Sequence, residues 1–227
     1  MSLTLHPSPF TLHPSPHAPH PIMLEGITAG FILSLTLFPG TVWLARVGVS
    51  GRASQVLAVA CGFWLSQLIW LSVAIPGLMM MCRHLGFISE VMYLFASFVL
   101  AYMGVKFLRT RRAEVLRHDE RLPPPASMFR NALNRSLAMP LRLPAAITIL
   151  LATGVYLNHE PVWESLPPIF LGALIGVSWW WGKIALLSIF FARRVPERIT
   201  LKSLNKIRPF CGLLCFSLAA IVLFLGF

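Results

Sequence analysis

Six stretches of this chain run for about twenty residues with almost no charge: about Met23–Leu44, Val56–Met81, Phe87–Val105, Ser136–Leu157, Leu166–Phe191 and Pro209–Phe227. The hydrocarbon core of a bilayer needs about 20 apolar residues of helix to cross it. In lipid every backbone polar group must be satisfied within the protein, which makes the helix the spanning form for runs of this kind. The expectation is an all-α integral membrane protein with six transmembrane helices. Composition agrees: 56% of residues are hydrophobic and 12% charged, whereas a soluble domain has about 45–50% and about 25%. So little charge cannot cover an apolar surface, so lipid must. The chain has no H-E-x-x-H, no G-x-S-x-G and no paired carboxylates inside an apolar run. It is therefore not read as an enzyme, and no catalytic residue, metal or cofactor is assigned.

The net charge of +11 is gathered between the apolar runs, and it alternates. Arg46 and Arg52 separate the first two runs. Lys106, Arg109, Arg111, Arg112, Arg117, Arg121, Arg130 and Arg135 separate the third from the fourth. Arg193, Arg194, Arg198, Lys202, Lys206 and Arg208 separate the fifth from the sixth. The intervening loops hold only Arg83 in one case, and Glu160 and Glu164 in the other. The positive-inside rule then places the basic loops in the cytoplasm and both termini outside, as a multi-pass protein of the bacterial inner membrane. Lipid is the expected surface partner. Nucleic acid is not, because no aromatic-and-basic surface lies outside the apolar runs. Cys61, Cys82, Cys211 and Cys215 form no C-x-x-C, and they read as small buried hydrophobes.

Residues 1–22 stand apart. Thr-Leu-His-Pro-Ser-Pro occurs at Thr4–Pro9 and again at Thr11–Pro16, with His17, His20 and Pro21 following. Such a segment has too little apolar surface to fold and too much proline for a helix. It reads as a disordered extension, with Met23 as an alternative initiator, rather than as a His-rich metal tether. Residues 23–227 form the membrane domain. A basic cytoplasmic loop, 108–128, divides it into a first half, 23–107, and a second half, 129–227.

Three helices in each half invert the second half relative to the first, as in inverted-repeat transporters, whose binding sites are marked by interrupted helices at matching places. The first helix is interrupted at Pro39-Gly40, and the fourth at Pro140 and Pro144. Proline removes a backbone donor and clashes with the preceding turn. A broken helix survives in a membrane where it faces protein or a watery cavity. The matched breaks predict one shared cavity, with solute near Pro39, Gly40, Thr41, Pro140 and Pro144. Neither Phe38-Pro39-Gly40 nor Ala138-Met139-Pro140 contains a cysteine, which argues against a thiol relay.

Gly26-x3-Gly30-x8-Pro39-Gly40, then Gly48-x2-Gly51-Arg52 and Gly62, resembles the opening of LysE/RhtB-type amino-acid exporters. Phe129 followed by Pro140 resembles the start of that family's second half. Ser178 with Trp179–Trp181, then Asn205-Lys206-Ile207, resembles its fifth helix and the approach to its sixth. The likeness covers about Met23 to Phe227. It implies a secondary exporter of a small amino acid or related metabolite, working by alternating access of two inverted halves. The sequence departs from the family pattern at Thr41, where the family has proline, at Val42, and at Met139, where it has asparagine. Val42 and Met139 are apolar where the family is polar, and these two losses favour the alternative, a non-transporting membrane scaffold or regulator that acts through its basic cytoplasmic loops, whereas the retained helix breaks favour transport. A homo-oligomer is compatible with either.

Ionisable groups inside a membrane helix are costly and are read as functional candidates. Lys183 follows three tryptophans and is placed in the substrate path, where replacement by Met would abolish export. Arg142, between Pro140 and Pro144, caps freed carbonyls, binds solute or reaches the headgroups. Glu25 and Glu90 lie near outer helix ends as candidates for proton or ion coupling, and no carboxylate lies at mid-membrane. Trp43 and Trp163 read as interfacial. At least one of Trp179, Trp180 and Trp181 must face the bundle, because three consecutive residues cover most of a helix circumference.

Overall fold

The computed structural model describes residues 21–84, 86–109, 122–139, 141–153, 162–191, 194 and 197–226. Among these the chain is helical: α1 (Pro21–Leu35), α2 (Phe38–Ser50), α3 (Ala53–His84), α4 (Gly86–Arg109), α5 (Pro125–Leu137), α6 (Arg142–Ala152), α7 (Val162–Phe190) and α8 (Glu197–Gly226). Four helices carry spans apolar and long enough to cross a membrane alone: Ala53–Leu78, Val91–Arg109, Leu166–Phe190 and Leu201–Phe224. Two bent pairs, α1 with α2 and α5 with α6, bring the number to six when each pair is one span. Large apolar side chains such as Phe98 and Phe224 stand exposed on the outside. That is what a lipid-facing surface requires.

The boundaries differ from the sequence expectation in three places. Pro21 and Ile22, assigned above to the extension, open α1. Proline suits a first helical turn, where its missing N–H is not needed. The fourth span begins at Pro125, so Arg130 and Arg135 are helical rather than part of a loop. The last helix begins at Glu197 instead of Pro209, which lies inside it. Charge masked both starts, although Arg, Lys, Glu and Leu are good helix formers. The repeat at 4–16 and most of the 108–128 divide lie outside the described residues.

Backbone contact sets the helix arrangement. Gly26 and Gly30 of α1 face α7, where an added methyl would overlap the carbonyls of Ile169 and Ala173. Gly172 and Gly176 of α7 face α1, where a methyl would overlap the carbonyls of Met23 and Ile27. Small residues four apart on both helices let the backbones approach. This close approach drives association in lipid, where no hydrophobic effect operates. The contacts run in step, Gly26 with Ile169, Gly30 with Ala173 and Gly40 with Trp181, so α1 and α2 advance together along α7. The pair therefore crosses and does not turn back.

The second half repeats this on α3. Gln55 Nε2 donates to the Pro123 carbonyl (2.9 Å), a methyl on Gly62 would press on Phe129 and Ala132, and the hydroxyls of Ser66 and Ser136 hydrogen-bond at 2.7 Å. α5 thus runs parallel to α3. α3 runs opposite to α7, since Phe63 meets Trp181 and Trp64 meets Ser178. It follows that α1 and α5 point in opposite directions, and the halves are inverted repeats. Exchanging the halves maps the α1–α7 contact onto α5–α3 and returns α3–α7 and α4–α8 to themselves; these four are the most extensive contacts in the bundle. α4 and α8 meet at Gly104 and Gly212, antiparallel as the exchange demands.

Gly30→Ala should force α1 from α7 and destabilise the protein by about 1–3 kcal/mol, the usual range for overpacking. Gly182→Ala, where a methyl would meet nothing within 4 Å, should leave stability unchanged or slightly raised. Thermal unfolding in detergent compares them.

Candidate functional site

Each first span of a half is interrupted near its middle, and the two interruptions meet. α1 ends at Leu35 because Pro39 has no N–H and its ring excludes the carbonyl four residues back, which is that of Leu35. A bend of 67° follows. The backbone closes it with short turns: Leu37 N–H donates to Ser34 O (3.1 Å) and Gly40 N–H to Leu37 O (2.9 Å). The displaced Leu35 carbonyl faces the Cys211 thiol of α8 at 3.9 Å. In the second half the bend is 70°. There Ala138 N–H donates to Asn134 O (2.8 Å), and Arg142 N–H to Met139 O (3.2 Å).

A cavity of about 180 Å³ lies where the breaks meet, room for a small solute rather than a drug-sized one. Thr36, Leu37 and Pro39 line it from the first break, and Met139, Leu141, Arg142 and Ala145 from the second. Met103, Lys106 and Phe107 close it from the last turns of α4. Arg142, the first residue of α6, is only 5% exposed. Its Nη1 donates to Thr36 Oγ1 (3.2 Å), and Thr36 Oγ1 donates to Leu33 O (2.6 Å). One relay of hydrogen bonds therefore ties α6 to the end of α1. The Arg142 side chain turns into the bundle, toward Thr36.

The other sequence candidates are scattered around this centre. Pro39 lines the cavity. Gly40 does not; it is wedged against Phe63 and Trp181, whose rings stack with centroids 5.1 Å apart. Thr41 is buried, and its hydroxyl has no hydrogen-bond partner among the described residues. Pro144 is half-buried in the first turn of α6. Pro140 lies outside the described residues. Lys183 is exposed on the face of α7 that also carries Trp179, Leu186, Leu187 and Phe190, away from this cavity. Glu25 sits half-buried toward the far end of α1, and Glu90 belongs to the start of α4, its side chain outside the described set.

Of the three tryptophans, Trp180 and Trp181 face the bundle and Trp179 faces outward. Trp180 packs edge-on against Phe31, and Trp43 against Phe63. Trp43 is thus a packing residue, with Arg135 above its ring at 5.9 Å. Cys211 and Cys215 are buried as expected, whereas Cys61 is exposed. Among the described residues no three His, Cys, Asp or Glu side chains form a metal-binding group.

Sequence reasoning missed Thr36, Leu37, Met103, Lys106, Phe107, Met139, Leu141 and Ala145 as lining residues. A signal existed for some. Thr36 is a polar residue beside a break, and Met103, Lys106 and Phe107 share one helical face by their spacing.

The family model described as LysE type translocator matches residues 31–226, from within α1 to the end of the last helix. No curated protein and no solved structure matches the chain.

Thr36→Val keeps the shape of the side chain but removes the acceptor for Arg142. A buried donor left without its partner costs about 1–3 kcal/mol. Denaturant unfolding of the purified protein should show that loss, while Thr36→Ser should restore most of it.

Proposed function

We propose, from the premise that the chain belongs to the LysE type translocator family, that it exports a small amino acid or related metabolite across the inner membrane by alternating access. Family membership makes it a multi-pass membrane transporter. Solute, direction and cycle are the proposal. The observation that carries it is the cavity itself: two mid-span breaks, one from each inverted half, open on a single space that holds a buried guanidinium.

The geometry supports a cycle. α1 is held on α7 and α5 on α3, so each half grips the middle helix of the other. The segments beyond the breaks, α2 and α6, pack on α7 and α3 less extensively than α1 and α5 do, and Thr36–Leu37 joins the first of them to its anchor. That joint is where a change of backbone angle moves one segment without dismantling the glycine contacts. Inverted repeats alternate when their two halves exchange unequal conformations. The halves are unequal here: α4 packs on α6, while among the described residues α8 makes no comparable contact with α2. Arg142 offers a fork of N–H donors to a carboxylate, with Thr36 beside it. Basic loops in the cytoplasm place Lys106 and the adjoining side of the cavity toward the cell interior. Glu25 and Glu90 are the proposed coupling groups. Lys183, on an exposed face, fits a lipid-facing or oligomer-facing role better than the substrate path.

Deletion of the gene, with cells loaded on dipeptides, should raise one internal pool among the amino acids and the carboxylic acids derived from them. The restored gene should lower it. Arg142→Gln should behave like the deletion, with export reduced more than tenfold, and Lys183→Met like the unmodified protein. Pools that stay level while the protein is present in the membrane would instead favour a scaffold acting through the basic loops.

A further inference from the structure

The two halves match residue by residue at their breaks. In the first half the N–H groups of Thr36, Leu37 and Gly40 donate to the carbonyls of Ile32, Ser34 and Leu37. In the second, those of Ala138, Met139 and Arg142 donate to Asn134, Ser136 and Met139. Gly40 is therefore the counterpart of Arg142. A methyl on Gly176 would meet Ile27 O and Phe31 N, and one on Gly62 would meet Phe129 O and Leu133 N, at the same spacing along α1 and α5. This pairs Gly62 with Gly176, and hence Phe63 with Val177 and Gln67 with Trp181. Trp64 then pairs with Ser178, and these two hydrogen-bond each other at 2.9 Å, as residues on a two-fold axis would. On α4 and α8 the match is mutual. A methyl on Gly104 would meet Phe216 and the Gly212 carbonyl, and one on Gly212 would meet Leu108 and the Gly104 carbonyl. Met103 and Phe107, which line the cavity, thus have the buried Cys211 and Cys215 as counterparts.

The matched halves are held differently. α6 packs on α4, α1 and α8, whereas among the described residues α2 makes no comparable contact with α8, α5 or α4. α2 packs on α3, and α6 makes no comparable contact with α7. Exchange of the two conformations is the route by which inverted repeats alternate. It lifts α6 from α1, and with it Arg142 from Thr36. Arg142 then takes the place that Gly40 holds now. Gly40 is wedged against Phe63 and Trp181, and the counterparts of those rings are Val177 and Gln67. The sizes compensate. One half has no side chain between two large rings, and the other has a long side chain to fit between two smaller ones, so the exchange conserves volume.

A buried guanidinium needs an acceptor wherever it rests. Thr36 supplies one in the conformation seen. Gln67 can supply the other. Its side chain is buried, and its Oε1 accepts from Ser34 Oγ at 2.7 Å with a second lone pair to spare. Its Nε2 has no hydrogen-bond partner among the described residues, and a buried amide left incomplete calls for an explanation. We infer that Gln67 is the second seat of Arg142, reached in an opposite-facing state whose cavity α8 lines with Cys211 and Cys215. This rests on the transport reading above and adds the state that the cycle must visit.

Thiol access tests it without any solute. The full-length chain carries Cys61→Ala and Cys82→Ala, keeps Cys211 and Cys215, and is held in sealed vesicles. A membrane-impermeant maleimide is applied to one side at a time. Cys211 should react from one side, and Met103→Cys, in a chain whose native cysteines are replaced by alanine, from the other. Gln67→Glu gives Arg142 an ionised partner at the second seat, and should raise the rate of Cys211 labelling by about threefold or more. Gln67→Leu removes the acceptor, and should lower that rate by about as much. A merely structural role for Gln67 would move both rates the same way, and that result overturns the second seat. Cys211 and Met103→Cys reacting from the same side, or Cys211 reacting from neither, overturns the exchange, and this comparison needs neither Gln67 variant to fold. Labelling in the predicted order while no solute moves supports the second state and counts against the transport reading. Solute that moves without that order overturns the inference and leaves transport standing.

Discussion

A peptide group without a hydrogen-bond partner cannot face lipid at tolerable cost. That rule decides where this chain may interrupt a helix. Pro39 excludes the Leu35 carbonyl from its helix. The carbonyl then meets Cys211 of α8, while short backbone turns close the bend on either side. In the second half the freed region is occupied by Arg142, whose guanidinium reaches across to Thr36 in the first. Each break is sheltered by groups from elsewhere in the bundle, and the breaks shelter each other. Helices α3, α4, α7 and α8, each long and apolar enough to span alone, pack against the broken pairs.

The bundle holds together through glycine. In lipid there is no hydrophobic gain from bringing helices together, so close backbone packing must supply the attraction. Gly26 and Gly30 against Gly172 and Gly176 are the clearest case, and Gly62 against α5 is the counterpart. Because each contact joins a helix of one half to a helix of the other, the halves are interlocked rather than merely adjacent. α2 and α6 pack on α7 and α3 less extensively than α1 and α5 do.

Much of this was legible in the sequence. Runs of apolar residues marked the spans, because lipid imposes a length on them, and Pro39 and Pro140 marked the interruptions. Three apolar runs on either side of the basic divide implied the inversion of the halves, which the parallel packing of α1 on α7 and of α5 on α3, with α3 opposed to α7, bears out. The helical starts at Pro125 and Glu197 were hidden, because residues such as Arg130 and Lys202 look like loop when only hydropathy is read. The cavity lining was harder. Met103, Lys106 and Phe107 reach it through the α4–α6 contact, a tertiary fact that no local pattern encodes. Lys183 shows the opposite error: a charge inside an apolar run reads as a site, yet its helical face points outward. Cys211 was read as a small buried hydrophobe for want of a C-x-x-C, and the fold brings its thiol to the first break.

Sharing of one water-filled cavity by both breaks is tested most directly by chemical access. With Cys61, Cys82, Cys211 and Cys215 replaced by serine or alanine, single cysteines are placed at Pro39 and at Met139. A membrane-impermeant thiol reagent is then applied to each side of sealed vesicles, with and without solute. If the breaks line one cavity, both cysteines react from the same side, and the same solute protects both over the same concentration range. Labelling of the two from opposite sides, or protection of one without the other, would contradict a shared cavity.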